Sequence, residues 1–378
     1  MRDTASAVSR LLARRAWLRL CSAGMLLPLV GCGREDAARP AAGFAGLGEA
    51  AGSYLPVQRG RPLVFPQDHD AHDGYRIEWW YVTSNLRDEA GHDWGVQWTL
   101  FRSAIRPGQA GEGWHSPNLW MAHAALTGPG GHQHAERLAR GGIGQADVQV
   151  APFRAGIDDW ALEAPVSAAP AGQDALARLQ MTARGDGFAY SLALASDAPL
   201  VLHGDAGYSE KSGAGQASYY YSQPFYRVTG RVERDGKAVA VTGRAWLDRE
   251  WSSQPLAPEQ EGWDWFSLHL ANGDKLMVFQ VRQRDGSHYR AGTWIRPDGQ
   301  HRALASGEIG LEARTRSRQA HGREVPTTWA VRVPVAGVDT TVTALVPQAW
   351  MGGTFPYWEG PVRINGAGGM GYLEMTGY

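Results

Sequence analysis

Two short segments set carboxylates against aromatic rings, and both read as β-strands. The run Glu78-Trp79-Trp80-Tyr81 puts an acid beside two indoles and a phenol. Alternation along a strand sends Glu78 and Trp80 to one face and Trp79 and Tyr81 to the other. Trp246-Leu247-Asp248-Arg249-Glu250-Trp251 repeats the theme, with Trp246, Asp248 and Glu250 sharing a face. A carboxyl group held among indoles stays neutral to a higher pH than in water, and a neutral acid can donate a proton. Aspartate is disfavoured in strands, so Asp248 needs a buried partner or a task. Glu78 has two readings, a proton donor or a structural carboxylate paired with an arginine such as Arg102.

Other constellations carry less chemistry. The run Asp68-His69-Asp70-Ala71-His72-Asp73 has the residue types of a metal site. It precedes the first strand, however, and reads as a solvated loop, so no metal is expected. His123 lies in an apolar run and reads as a core histidine before a catalyst. Tyr208, Tyr219 and Tyr221 supply hydroxyls, but no Gly-x-Ser-x-Gly elbow surrounds a nearby serine. There is no Gly-rich phosphate loop and no dinucleotide fingerprint, so no cofactor is expected.

These residues need strands to position them. Period-2 patterns bounded by Gly, Asp and Asn recur, and helix-period patterns are nearly absent. Residues 177–183 and 188–194 form one expected hairpin, and 228–232 and 239–246 another, turning at Arg234-Asp235-Gly236-Lys237. Residues 95–102 and 275–282 are further strands, and 371–378 reads as a strand running to the end. The segment 80–86 with its hairpin partner ending at Arg102 has a looser copy in 265–270 with a partner ending at Arg282. This repeat predicts two antiparallel barrels. Pro224 interrupts a strand pattern, which places the boundary at 222/223, giving domains 57–222 and 223–378. Sixteen tryptophans against nine phenylalanines exceed what core filling asks for, because each buried indole must also place its N–H. The expected occupant is therefore a hydrophobic small molecule or lipid at an aromatic barrel mouth and interdomain cleft. A net charge of −1 without long runs of one sign gives no reason to expect nucleic acid.

The first residues read as an export signal. Arg14, Arg15 and Arg19 precede a short apolar run, and Leu29-Val30-Gly31-Cys32 reads as a lipobox. Residues 1–31 are then the signal, Cys32 the lipidated residue and membrane anchor, and 32–56 a flexible Ala/Gly-rich tether. Gly33 after the cysteine resembles the sorting pattern for the outer membrane, facing the periplasm. Both cysteines, Cys21 and Cys32, fall in this leader, so the remainder must be held by burial rather than disulfides.

The combination Phe65-Pro66-x-Asp68-His69-x-x-His72, Glu78-Trp79-Trp80-Tyr81, Gln97-Trp98-Thr99-Leu100-Phe101-Arg102, Ala122-His123-Ala124, Gly207-Tyr208-Ser209, Tyr219-Tyr220-Tyr221-Ser222 and Trp350-Met351 resembles the AttH-like family, related to carotenoid 1,2-hydratases. The resemblance implies an all-β chain of two tandem lipocalin-like barrels. In the hydratase branch an aspartate in a Tyr-x-Asp strand protonates a C=C bond. Asp248 stands at the matching place, with Trp246 for the tyrosine. Tyr219 and Tyr221 stand nearest to that branch's His-x-Trp pair. With the aromatic pattern, the resemblance implies ligand-lining roles for Trp79, Trp80, Gln97, Arg102, His123, Tyr208, Tyr219, Tyr221, Trp246 and Trp251, and acid roles for Asp248 and Glu78. Hydratase-type chemistry is one expectation. A non-catalytic lipoprotein serving an ABC transporter and a secreted hydrolase are the alternatives.

Overall fold

The computed structural model describes residues 54–378 except 109, 110, 112, 166–172, 255 and 367. The signal, the Cys32 lipobox and nearly all of the expected tether lie outside the described residues. Tyr54 and Leu55, counted with the tether on sequence, are fastened to the fold. The Tyr54 hydroxyl donates to the Ala104 carbonyl at 2.6 Å, and the Leu55 N–H donates to Gly74 at 2.8 Å.

The alternating patterns become antiparallel strands in two sheets, one of thirteen strands and one of ten. In the first, the path of pairing runs from Gly131–Arg140 through the opening hairpin (Ile77–Asp88 and Asp93–Ala104) to Ala146–Val150. Its two edge strands are consecutive in the chain, so the sheet curls until its ends approach. The second does the same between His301–Leu304 and Gly310–Arg318. In each sheet the opening hairpin is flanked by the sheet's last strand, Lys237–Ser252 in the first and Gly369–Met375 in the second. The repeat read from sequence is thus a repeat of topology. Asp235 (φ 49°) and Gly236 (φ 78°) make the tight turn into Lys237–Ser252, as the Asp-Gly pair predicts.

The expected boundary at 222/223 falls inside a strand. Ala217–Arg234 continues through Pro224, where its pairing with Lys237–Ser252 slips between Gln223 and Tyr226. Proline cannot donate to the ladder, and a bulge is where a sheet tolerates it. The chain changes sheet between Ser252 and Gln260 instead. The last strand also departs from expectation, ending at Met375 and pairing on both sides rather than running to the terminus.

Three apolar clusters follow from the alternation. Trp80, Trp98, Trp120, Leu247 and Trp251 pack inside the first barrel. Phe266, Leu268, Trp329, Trp358 and Leu373 pack inside the second. The opposite faces of the same strands meet between the barrels, where Tyr81, Tyr220, Trp246, Trp265, Phe279 and Tyr372 form a third cluster. A strand with both faces buried reads as a nearly continuous apolar run, which explains the density of aromatic residues in 77–82 and 246–251.

Candidate functional site

Glu78 points into the first barrel and is fully buried. It stands opposite Arg102 in the opening hairpin, and the Arg102 Nε donates to it. The Arg249 Nη2, from the neighbouring strand, donates to its other oxygen. The His72 backbone N–H adds a bond at 2.9 Å, and His72 Nδ1 lies 3.1 Å away. Burial alone pushes this carboxyl up, but Arg102 and Arg249 outweigh it and hold Glu78 well below the usual carboxylate range. An ionised carboxylate between two guanidinium groups cannot serve as a proton donor. Of its two sequence readings, the structural one fits this geometry.

The Asp68–Asp73 segment is not a solvated loop. Asp68 and His69 are buried. Asp68 pairs with Arg61 at 2.8 Å and with His72 Nε2 at 3.0 Å, and His69 Nδ1 meets the Tyr221 hydroxyl at 2.6 Å. His72 stacks on Trp251 with ring centroids 4.0 Å apart. The segment packs against the interior residues of the first barrel, and Asp68, His69 and His72 are taken up by these contacts.

Asp248 lies on the opposite face of the same strand pair, in a cleft of about 140 Å³ between the two sheets. Trp79, Tyr81, Tyr220, Trp263, Trp265 and Phe279 make the aromatic walls, and Lys211, Glu250 and Glu374 are its other ionisable groups. A space of this size admits a single aromatic ring or a short branched chain, with the rest of a longer molecule reaching out through the mouth. Ser222 donates to Asp248 Oδ1, and the Trp246 indole N–H donates to the same oxygen at 2.7 Å. Behind Ser222, its hydroxyl meets His203 Nε2 at 2.6 Å, and His203 Nδ1 meets the Thr293 hydroxyl of the second sheet at 2.8 Å. Burial pushes the Asp248 carboxyl up and the nearby Glu250 adds to this. The bonds from Ser222, Trp246 and Tyr220 only partly oppose it, leaving Asp248 at about 7. Burial holds His203 well below its usual range, aided by Lys211, so this link is neutral.

The second sheet contributes further acids. The Trp263 indole donates to Glu374 at 2.6 Å, and burial, reinforced by Glu250, raises that carboxyl to about 7. Glu359 accepts from the Tyr81 hydroxyl, and burial beside Glu374 pushes it well above the usual range. Glu250 is paired with Lys211 at 2.8 Å. Neutral acids with indole and phenol donors in an aromatic cleft make a place where a proton can be given to an apolar molecule.

The AttH-like family profile matches residues 56–378. The chain belongs to the AttH-like family. A putative AttH of Nitrosomonas europaea is 34% identical, with a TM-score of 0.74 over 86% of this chain and 99% of that one. Kievitone hydratase from Nectria haematococca has the same fold at 13% identity, with a TM-score of 0.61 over 86% of this chain and 97% of that one. No curated protein sequence matches the chain.

In this AttH-like chain the expected site residues divide by face. Trp79 and Asp248 line the cleft, and Trp246 reaches it through Asp248. Trp80, Tyr219, Tyr221 and Trp251 belong to the core of the first barrel, and Arg102 is committed to Glu78. The Tyr219 hydroxyl accepts from the Gln58 backbone, and the Trp80 indole donates to the His69 carbonyl. Gln97 is buried and donates to Thr99. His123 bridges Glu136 at 3.2 Å and the Tyr357 hydroxyl of the second sheet at 3.1 Å. Tyr208, half-buried, lies under Arg59. The residues facing Asp248 and Glu250 across the ladder are Ser222 and Tyr220, one position off the tyrosines chosen on sequence. Alternation could have found them, since Asp248 and Glu250 share a face and their partners must too. Nothing local marks His203, Trp263 or Glu374, which arrive from distant strands.

Proposed function

We propose that the cleft binds an apolar, unsaturated ligand of lipid or isoprenoid type, and that Asp248 protonates its C=C bond so that water adds. The observation that carries this reading is a carboxyl group poised at about 7 on the wall of an aromatic cleft, with no arginine paired to it among the described residues. Ser222 and Trp246 both donate to Oδ1, so the transferable proton belongs on Oδ2. Proton transfer leaves a carbocation on the ligand. The faces of Trp79, Trp263 and Trp265 stabilise such a cation. A water then bonds to the cationic carbon and returns its proton to the Asp248 carboxylate, so the acid is regenerated. Kievitone hydratase shares the fold, and its name is compatible with this chemistry. In this reading the protein is exported and anchored through Cys32.

The test is to extract protein purified from its native compartment and identify the bound molecule by mass spectrometry. That class of alkene is then incubated with the protein in heavy-oxygen water. The expected outcome is a labelled alcohol formed by the wild type, and Asp248→Asn that binds the alkene without turnover. An empty protein with no thermal shift across lipid and isoprenoid panels overturns the reading.

A further inference from the structure

A second groove opens on the first sheet beside the cleft. Eight large apolar side chains are exposed on the described surface, and five of them line this groove: Ile105, Trp114, Leu119, Leu138 and Ile143. Trp114 is 70% exposed, Leu138 56% and Ile105 54%. Single exposed apolar residues are ordinary, but five gathered in one place mark an interaction surface. Arg76, Arg106 and Arg140 also line it, and none of its described lining residues is acidic. Tyr54 lines the same groove. Tyr54 is the first described residue, so the described fold begins at this rim. Ile77 and Phe101 line both this groove and the Asp248 cleft.

We propose that this groove is the face on which the protein rests against an anionic lipid bilayer. Indole and aliphatic side chains would enter the headgroup and acyl boundary, and Arg106 and Arg140 would meet lipid phosphates. With Tyr54 on this face, anchoring through Cys32 and docking here do not compete. Ile77 and Phe101 then form an apolar threshold between the bilayer and the cleft. That last step rests on the ligand reading above; the docking does not.

The test uses residues 54–378, which contain both hydrophobic cores and match the crystallised Nitrosomonas protein over 99% of its length. The protein is spun down with vesicles of phosphatidylglycerol and phosphatidylethanolamine. The wild type is expected to sediment with them. Trp114→Asp with Leu138→Asp should weaken the partition roughly tenfold or more, with circular dichroism unchanged, because both side chains are exposed. Arg106→Glu should weaken it several-fold at low salt. Val335→Asp, exposed on the second half of the chain, should leave it unchanged. Asp248→Asn should also sediment as wild type, which separates this proposal from the cleft chemistry. The proposal is overturned if the wild type stays in the supernatant or if the double variant sediments as well as wild type. It is equally overturned if the wild type pellets without vesicles, an outcome that would assign the face to a second copy.

Discussion

Glu78 and Asp248 occupy the same pair of strands, three rungs apart, and both are buried, yet the structure shifts their carboxyls in opposite directions. Glu78 faces the inside of the first barrel, where two arginines reach it. Asp248 faces the gap between barrels, where its partners are a serine, an indole and a phenol, with Glu250 on the same face. Burial pushes both carboxyls up, and the guanidinium groups decide which of them stays charged. One strand pair thus carries a structural acid on one side and a chemically available one on the other.

The largest effect expected on the folded state comes from Glu78→Gln, which strands the buried guanidinium groups of Arg102 and Arg249. We expect a loss of about 3–5 kcal/mol in urea unfolding. A loss below about 1 kcal/mol would mean that the arginines find other partners and that the contrast with Asp248 is overstated. Asp248→Asn should do the reverse. Turnover of the identified alkene should fall roughly a thousandfold, while unfolding at about pH 4 stays within about 1 kcal/mol of wild type.

The pH profiles should also run in opposite directions. Asp248 is raised from 3.8 to about 7, so between those values the unfolded chain ionises while the folded one keeps its proton. Its contribution to stability therefore falls as pH rises from about 4 to 7 and is flat above. Asp248→Asn should accordingly gain about 4 kcal/mol on wild type across that window, measured by unfolding at fixed temperature. Glu78 is lowered, so its contribution is present above about 4.5, is lost as pH falls through its depressed folded value, and vanishes in Glu78→Gln. Turnover itself should decline above pH 7 as Asp248 ionises. The smallest expected effect is from Ser222→Ala. Removing a donor to the ionised form should move that alkaline limb to higher pH, by the equivalent of about 1 kcal/mol or less. A limb that does not move would remove Ser222 from the site.

Much of this contrast was readable in the chain. Alternation separated Glu78 from Tyr81 and grouped Trp246, Asp248 and Glu250, and the Asp-Gly turn aligned the strand that carries them. The repeat announced two barrels because each opening hairpin must carry the same aromatic strand. What escaped was longer in range. Arg249 as the second partner of Glu78 comes from a strand far along the chain. Trp263 and Glu374 join the cleft only when the two sheets face each other, and no period in the sequence encodes that docking. Pro224 misled because a bulge and a domain boundary leave the same mark in a strand pattern. The Asp/His run before the first strand misled for a related reason, since composition says nothing of whether a loop packs over a barrel.

The place of the last strand has a consequence for synthesis. Gln260–Leu270 cannot be hydrogen-bonded on both sides until Gly369–Met375 arrives, and that strand also brings Glu374. A chain that has not yet added this strand therefore holds an open sheet edge where the wall of the cleft will stand. The contacts that close it span about a hundred positions and form late. Gly369–Met375 thus supplies both the partner that seals this edge and a part of the cleft wall, so edge and cleft are completed together.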